Sequence, residues 1–373
     1  MDVNVNLKNH RKLQAFYLFF IITSIQLGVG IVGIPRIVYQ EAGQDAWISI
    51  LISYAALVVI LTVMLIILKQ YKNADIFGIQ VDIFGTWLGK LLGTIYILYF
   101  LWTLFSVLIT YIEILRVFLF PYIHPLVLGV LITSLIVITV IGGLRIIVGV
   151  CFLFFFMTQW VLLLLIEPAA DMQLSHFQPF FQASFTELLS GTQDTSYTLI
   201  GFEILFLVYP FIQEKDKVYK PVYFAAFWTV LLTLIFTIIS IGYFSKEQLI
   251  RREWVGLSLF KIQEFPFIER LDYVVVAEWM MVTLPNMLLF MWGVTYGINR
   301  LYKVPQKTTL YISAALLIIG SALVSEHFEI QKVINVADSV GFWLVYVYPL
   351  VLLPIVLIRK KWKKYKGGKG NAR

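Results

Sequence analysis

What this chain can fold into is constrained first by a succession of ten apolar runs, most of them reaching the ~20 residues a helix needs to cross a bilayer. They occupy residues 13–39, 46–71, 89–120, 125–142, 144–167, 195–211, 218–245, 267–302, 308–324 and 335–359, numbered here as spans one to ten. The longest, spans three and eight, are expected to tilt or protrude. The runs are continuous rather than alternating, which excludes a transmembrane β-barrel. An ordinary soluble domain carries about 25% charged residues. The 373 residues here are 14% charged and 60% hydrophobic, with a mean hydropathy of +0.85. The expected class is all-α and integral to a membrane, with ten transmembrane helices. The first run lacks a small-residue cleavage site and continues into a full span, so it reads as a helix and not as a cleavable signal.

Charge placement gives an expected orientation. With the amino terminus inside, 21 of the 29 Lys and Arg residues fall on the cytoplasmic side, in groups around Lys8 to Lys12, Lys69 to Lys90, Arg145, Lys215 to Lys220, Arg300 to Lys307 and the tail RKKWKKYKGGKGNAR. The eight on the other side include Arg36, Arg116, Arg251, Arg252, Arg270 and Lys332. Both termini are therefore expected in the cytoplasm. The net charge of +7 belongs to a flank that faces lipid headgroups, so the bilayer is an expected partner and nucleic acid is not. The layout reads as a cytoplasmic amino terminus (1–12), a membrane domain (13–358) and a basic cytoplasmic tail (359–373). Three connections are long enough to hold structure. Residues 74–90 read as a short interfacial helix. The external connections 171–194 and 245–270 either cap a vestibule, dock a partner or lie on the headgroups.

Several classes fall away. The single cysteine, Cys151, sits inside an apolar run and offers no disulfide, and the four histidines are scattered. No metal-ligand spacing, nucleophile–base pair or phosphate loop is present, so neither an enzyme nor a cofactor or metal is expected. The glycine-rich run of span one is not a nucleotide fingerprint, because a membrane helix surrounds it and no strand precedes it.

That run, Gln26-Leu27-Gly28-Val29-Gly30-Ile31-Val32-Gly33-Ile34-Pro35-Arg36, is poorly suited to an unbroken helix, since glycine costs about 1 kcal/mol and an interior proline about 3 relative to alanine. A second such segment, Tyr197-Thr198-Leu199-Ile200-Gly201-Phe202-Glu203, stands in span six. Five spans run from the first break to the second, and five from the second to the end. An odd number per half gives the halves opposite orientation, which fits an inverted 5+5 repeat, about 13–167 and 195–358. Interrupted spans at corresponding positions of two halves point to a binding site near the bilayer midplane. A break persists in lipid only where it lines a cavity. Free N–H groups at Gly28, Val29 and Gly30 suit a carboxylate. Free carbonyls near Tyr197, Thr198 and Leu199 suit an ammonium, so together they would take a zwitterion such as an amino acid. The competing reading of the glycines is a close-packing helix face.

QLGVGIVGIP resembles the first-helix signature of the amino acid–polyamine–organocation superfamily, and YTLIGFE its sixth-helix signature. The compact ten-span layout, GIPR closing span one, Ile268-Glu269-Arg270 before span eight and the short Lys-rich tail are similar to the spore germination permeases, the B subunits of endospore germinant receptors. The resemblance covers essentially the whole chain. It implies a LeuT-like fold with discontinuous helices 1 and 6, and residence in the spore inner membrane. It also implies an A subunit and a lipoprotein C subunit as partners, and a small nutrient (an amino acid, sugar or nucleoside) as the trigger. The ligand-binding positions it carries over are Gly28, Val29, Gly30, Tyr197, Leu199, Gly201 and Phe202.

Other polar residues inside the spans add candidates. Glu203 is an intramembrane carboxylate, a functional hypothesis by default: it attracts an ammonium, carries a proton, or accepts hydrogen bonds from N–H groups at its own break. Glu278 and the kink residue Asn286 are candidates for an ion or proton site, each against a local structural role. Tyr96 and Tyr99 of span three are candidates for a ligand-contacting hydroxyl, in a chain that is 16% aromatic. Gln26 and Gln159 read more readily as buried, satisfied amides. Glu113 and Arg116, three apart on one helical face, read as a structural pair. Three functions share this site: a nutrient-sensing receptor subunit, a proton- or cation-coupled amino-acid symporter, and a ligand-gated channel.

Overall fold

The computed structural model describes residues 2–7, 12–261 and 270–370. Lys8, Arg11, Ile268 and Glu269, used above for orientation or resemblance, lie outside them. The described residues are helical throughout, apart from connections and two isolated bridges, Asn4 with Ala74 and Leu13 with Ile212. Seven segments are long and apolar enough to cross a membrane: Gly30–Lys69, Ile76–Phe118, Leu144–Ala170, Lys215–Tyr243, Leu271–Tyr302, Gln306–Leu323 and His327–Lys363. Shorter apolar helices occupy Tyr17–Gln26, Pro125–Ile141 and Phe202–Phe211. Among the described residues each of the ten apolar runs falls on helix, but the crossings do not separate cleanly into ten, because Gly30–Ala42 runs almost directly into Ala46–Lys69.

Both interrupted spans are discontinuous. Span one stops at Gln26 and restarts at Gly30. Span six stops at Thr198 and resumes at Phe202, with Gly201 between them at φ +118°, a conformation that side chains disfavour. Four boundaries differ from the sequence reading, each for a local reason. Span six begins at Phe185, ten residues early, because Ser184 and Glu187 form a reciprocal capping box. The segment 74–90 is not a separate interfacial helix: it continues into span three as Ile76–Phe118, capped by Asp75 and bent at Gly85, whose φ of +80° permits the turn. The connection after span seven is folded, with helices Lys246–Arg251 and Val255–Phe260. Its described part, 245–261, packs inward through Trp254, Val255, Leu257 and Phe260, all buried, and covers the second half of span one. Span ten starts at His327 and includes a π-helical stretch, Phe342–Val347.

Span eight runs along span three as the most extensive helix pair. Spans one and six pack against each other and against spans three, seven and eight to form the centre. Ile138, Leu153 and Ile312, on spans four, five and nine, point outward and are more than half exposed. Such an apolar belt is a liability in water and ordinary against lipid. Cys151 is fully buried.

Both termini lie on one face. Lys363 contacts Asp82, Val5 N–H donates to the Asn73 carbonyl at 2.8 Å, and Leu13 N–H donates to Phe211 at 2.8 Å. This face is sealed by a buried network. The Asp75 carboxylate, fully buried, accepts from Tyr296 (2.6 Å) and Arg300 (2.9 Å), and Arg300 also donates to the Asp2 and Val3 carbonyls. Lys215 closes the same side against Lys72 and Asn73.

Candidate ligand site

The two breaks meet. A methyl group built on Gly30 would stand 3.1 Å from the Thr198 hydroxyl, and one built on Gly201 2.8 Å from the Ile25 carbonyl oxygen. The glycines therefore serve close packing and the break together, Gly201 admitting the backbone of span one and Gly30 the Thr198 side chain. Side-chain amides bridge the interruptions. Gln26 Nε2 donates to the Leu199 carbonyl at 2.8 Å, and Asn286 Nδ2 donates to the Ile25 carbonyl. Beside Pro285, which leaves a helix hydrogen bond unmade, Asn286 thus ties span eight to the first break.

Above this junction, away from the termini, lies a cavity of about 440 Å³. Its base is formed by Ile25, Gln26, Gly28, Val29, Gly30, Tyr197, Thr198, Asn286 and Phe290. One wall is the hydroxyl row Thr103, Ser106 and Thr110 of span three, and the mouth carries Arg36, Gln40, Glu253, His327, Gln331 and Asn335. Exposure of Gln40, His327 and Asn335 places the opening on the face opposite the termini. Helix geometry leaves the first N–H groups of Gly30–Ala42 without intrahelical acceptors, a local preference for negative charge. Three buried polar atoms belonging to cavity-lining residues have no hydrogen-bond partner: Gln26 Oε1, Asn286 Oδ1 and Thr103 Oγ1. Because buried polar groups are normally hydrogen-bonded, these atoms are unspent acceptors that suit a ligand's N–H donors.

The expected residues divide. Gly28, Val29, Gly30, Tyr197, Thr198 and Asn286 line the cavity; Tyr96, Tyr99, Leu199, Gly201, Phe202, Glu203 and Glu278 do not. The Leu199 carbonyl is taken up by Gln26, and the Tyr197 carbonyl accepts from Ile200 N–H at 3.2 Å. Glu203, fully buried, accepts from the Gly201 N–H (2.8 Å) and the Tyr99 hydroxyl (3.0 Å), so it stabilises its own break from behind. Tyr96 is buried beside it, its ring edge-on to Tyr99. Glu278 accepts from the Trp160 indole at 2.7 Å and borders a separate cleft of about 40 Å³ with Gln159 and Thr158. Glu113 and Arg116 do not pair with each other: Glu113 meets His327 at 2.7 Å, and Arg116 donates to the Ser325 carbonyl at 3.4 Å. Span ten brings partners that local spacing does not reveal.

The site gained residues as well. Gln26, read as a satisfied amide, is satisfied at only one end. The hydroxyl row of span three was missed, although Thr103, Ser106 and Thr110 recur at helical period and were legible as a polar stripe in an apolar run.

A helical membrane protein whose two interrupted spans meet under a polar cavity has the LeuT-type transporter architecture. Two solved structures carry the same fold. A Na+-coupled sialic acid symporter in a substrate-bound outward-open state matches with TM-score 0.68 and 14% identity, over 93% of this chain and 78% of that one. Mhp1, a nucleobase–cation-symport-1 family transporter in a closed conformation with bromovinylhydantoin bound, matches with TM-score 0.58 and 13% identity, over 94% of this chain and 80% of that one. The particular family follows from sequence. The profile of the spore germination protein family (spore permease) matches residues 12–330, and the chain belongs to that family. Spore germination protein GerQB of Bacillus cereus is 31% identical over 95% of this chain and 98% of its own length. Spore germination protein B2 of Bacillus subtilis (strain 168) is 22% identical over 97% and 99%. The chain is a multi-pass membrane protein and not an enzyme.

Proposed function

We propose that this chain is the nutrient-sensing membrane subunit of a spore germinant receptor. A small zwitterion, an amino acid foremost, binds in the cavity between spans one and six, and binding is passed to an A subunit and a lipoprotein C subunit to trigger germination. The observation that carries this reading is the set of unpartnered acceptors on Gln26, Asn286 and Thr103, beside a helix start that favours a carboxylate. Membership of the germination family supports the signalling role. Charge bias supports cytoplasmic termini, in the spore inner membrane or the cell membrane, so the cavity opens outward. The membrane domain is 13–358, with repeats at about 13–167 and 195–358 and a basic tail from 359.

The test is a thermal-shift screen of the full chain against amino acids, sugars and nucleosides. One nutrient class is expected to raise the Tm, and Gln26→Leu and Thr103→Val to remove the shift while leaving the unliganded Tm within a few degrees. A ligand shift untouched by both substitutions would place binding elsewhere. The second reading, a proton- or cation-coupled symporter, is favoured by the transporter fold. Accumulation of an amino acid in vesicles of the isolated chain under a proton gradient would establish it.

A further inference from the structure

At the mouth of the cavity, three side chains from three distant parts of the chain converge. Glu113 stands in the last turns of span three, Glu253 in the folded connection after span seven, and His327 at the start of the last long helix. His327 Nδ1 lies 2.7 Å from Glu113 Oε1 and 3.4 Å from Glu253 Oε1. One donor atom from each lies within 4.8 Å of the others. The Glu113 side chain is only 11% exposed, and its second oxygen, Oε2, is buried with no hydrogen-bond partner. The nearby arginines make their hydrogen bonds elsewhere, Arg116 to the Ser325 carbonyl and Arg36 to the Ile250 carbonyl, while Glu253 Oε1 also accepts from Gln331 Nε2 at 3.3 Å. Among the described residues, neither carboxylate forms an ion pair with an arginine or lysine.

We propose that Glu113, Glu253 and His327 form a divalent-cation site of the zinc class. One imidazole and two carboxylates are a donor set that zinc accepts, whereas calcium and magnesium take oxygen ligands. Tetrahedral ligands at about 2.0–2.2 Å from zinc stand roughly 3.3 Å from one another. The His327–Glu253 separation of 3.4 Å already meets this, and the 2.7 Å separation from Glu113 widens by rotation of the half-exposed imidazole. Three protein ligands leave a fourth position for water. The metal would tie span three, the folded connection and span ten together across the opening, so occupancy would control access to the cavity. Metal binding itself needs no nutrient, and it stands or falls independently of the function proposed above.

The test uses the full chain in detergent or nanodiscs, stripped with chelator and titrated with ZnCl2 by calorimetry and with CoCl2 by visible absorption. The expected result is one zinc per chain, a tetrahedral cobalt spectrum and a zinc-dependent rise in Tm. Glu253→Gln alters a partly exposed side chain and is expected to keep the metal-free Tm. His327→Ala also removes the partner of Glu113 and is expected to lower it, so the zinc-dependent rise is read from each variant's own metal-free Tm. Each is expected to weaken zinc binding by more than about tenfold. His176→Ala, at a histidine bonded to the Gly242 carbonyl, leaves binding unchanged. No zinc uptake by the wild-type chain, or uptake unaffected by His327→Ala and Glu253→Gln, overturns the proposal.

Discussion

At the junction of the two breaks, Gly201 and Gly30 leave little room for a side chain. Gly201→Ala places a Cβ against the Ile25 carbonyl at a positive φ. It is expected to destabilise the chain by about 1–3 kcal/mol, the cost of holding an L residue in sparsely populated backbone, read as a lowered Tm. Gly30→Leu forces the same kind of contact onto Thr198 from inside the cavity. The expected outcome is a chain that inserts and assembles but no longer shows a nutrient-induced Tm shift; a normal shift would mean that GVGIVG acts only in packing. Glu203→Leu strands the Gly201 N–H and the Tyr99 hydroxyl. Each unsatisfied buried group costs about 1–3 kcal/mol, so this variant is expected to lose stability even without ligand.

At the scale of elements, the start of span six is held by two loop devices. The Asp45 carboxylate accepts N–H bonds from Phe181, Gln182 and Ala183 at 2.6–3.0 Å, and the Ser184–Glu187 box follows at once. Ser184→Ala removes the cap and is expected to cost about 1 kcal/mol, visible as faster amide exchange over 185–190. The Ser184 N–H holds the Glu187 carboxyl below its ordinary range. Its contribution is therefore complete above the ordinary carboxyl value and fades as pH falls through the lowered one, so protection against exchange at this helix end, relative to the intrinsic rate, is expected to fall only in acid. The apolar runs and both breaks were legible in the sequence because each is local: length, glycine and proline state them. The cap at Ser184 was equally local and went unread, hidden in a polar stretch that looked like loop. The roles of Glu203, Glu113 and His327 were not legible, since each depends on which helix the fold brings alongside. Likewise, Tyr99 sits one turn from Thr103, and nothing in a helical run states which face meets the cavity.

For the molecule as a whole, the two faces are unequal. The cavity opens away from the termini, while the Asp75–Tyr296–Arg300 network and the amino-terminal residues close the other side. Removing one partner of a buried ion pair leaves an uncompensated charge. Arg300→Met is thus expected to loosen the terminal face, increasing solvent access to Phe77 and Tyr296 in hydrogen exchange and weakening nutrient binding through a shifted conformational balance. Unchanged exchange on that face would show that the aromatic packing there suffices without the ion pair.

The one native thiol belongs to Cys151, sealed between spans one and five. The natural chain is accordingly ready for single-site labelling chemistry. A cysteine introduced at Gln40, on the open rim, or at Lys303, on the terminal side, would be the one accessible thiol, and a membrane-impermeant reagent would report which face meets which compartment without altering any native residue elsewhere.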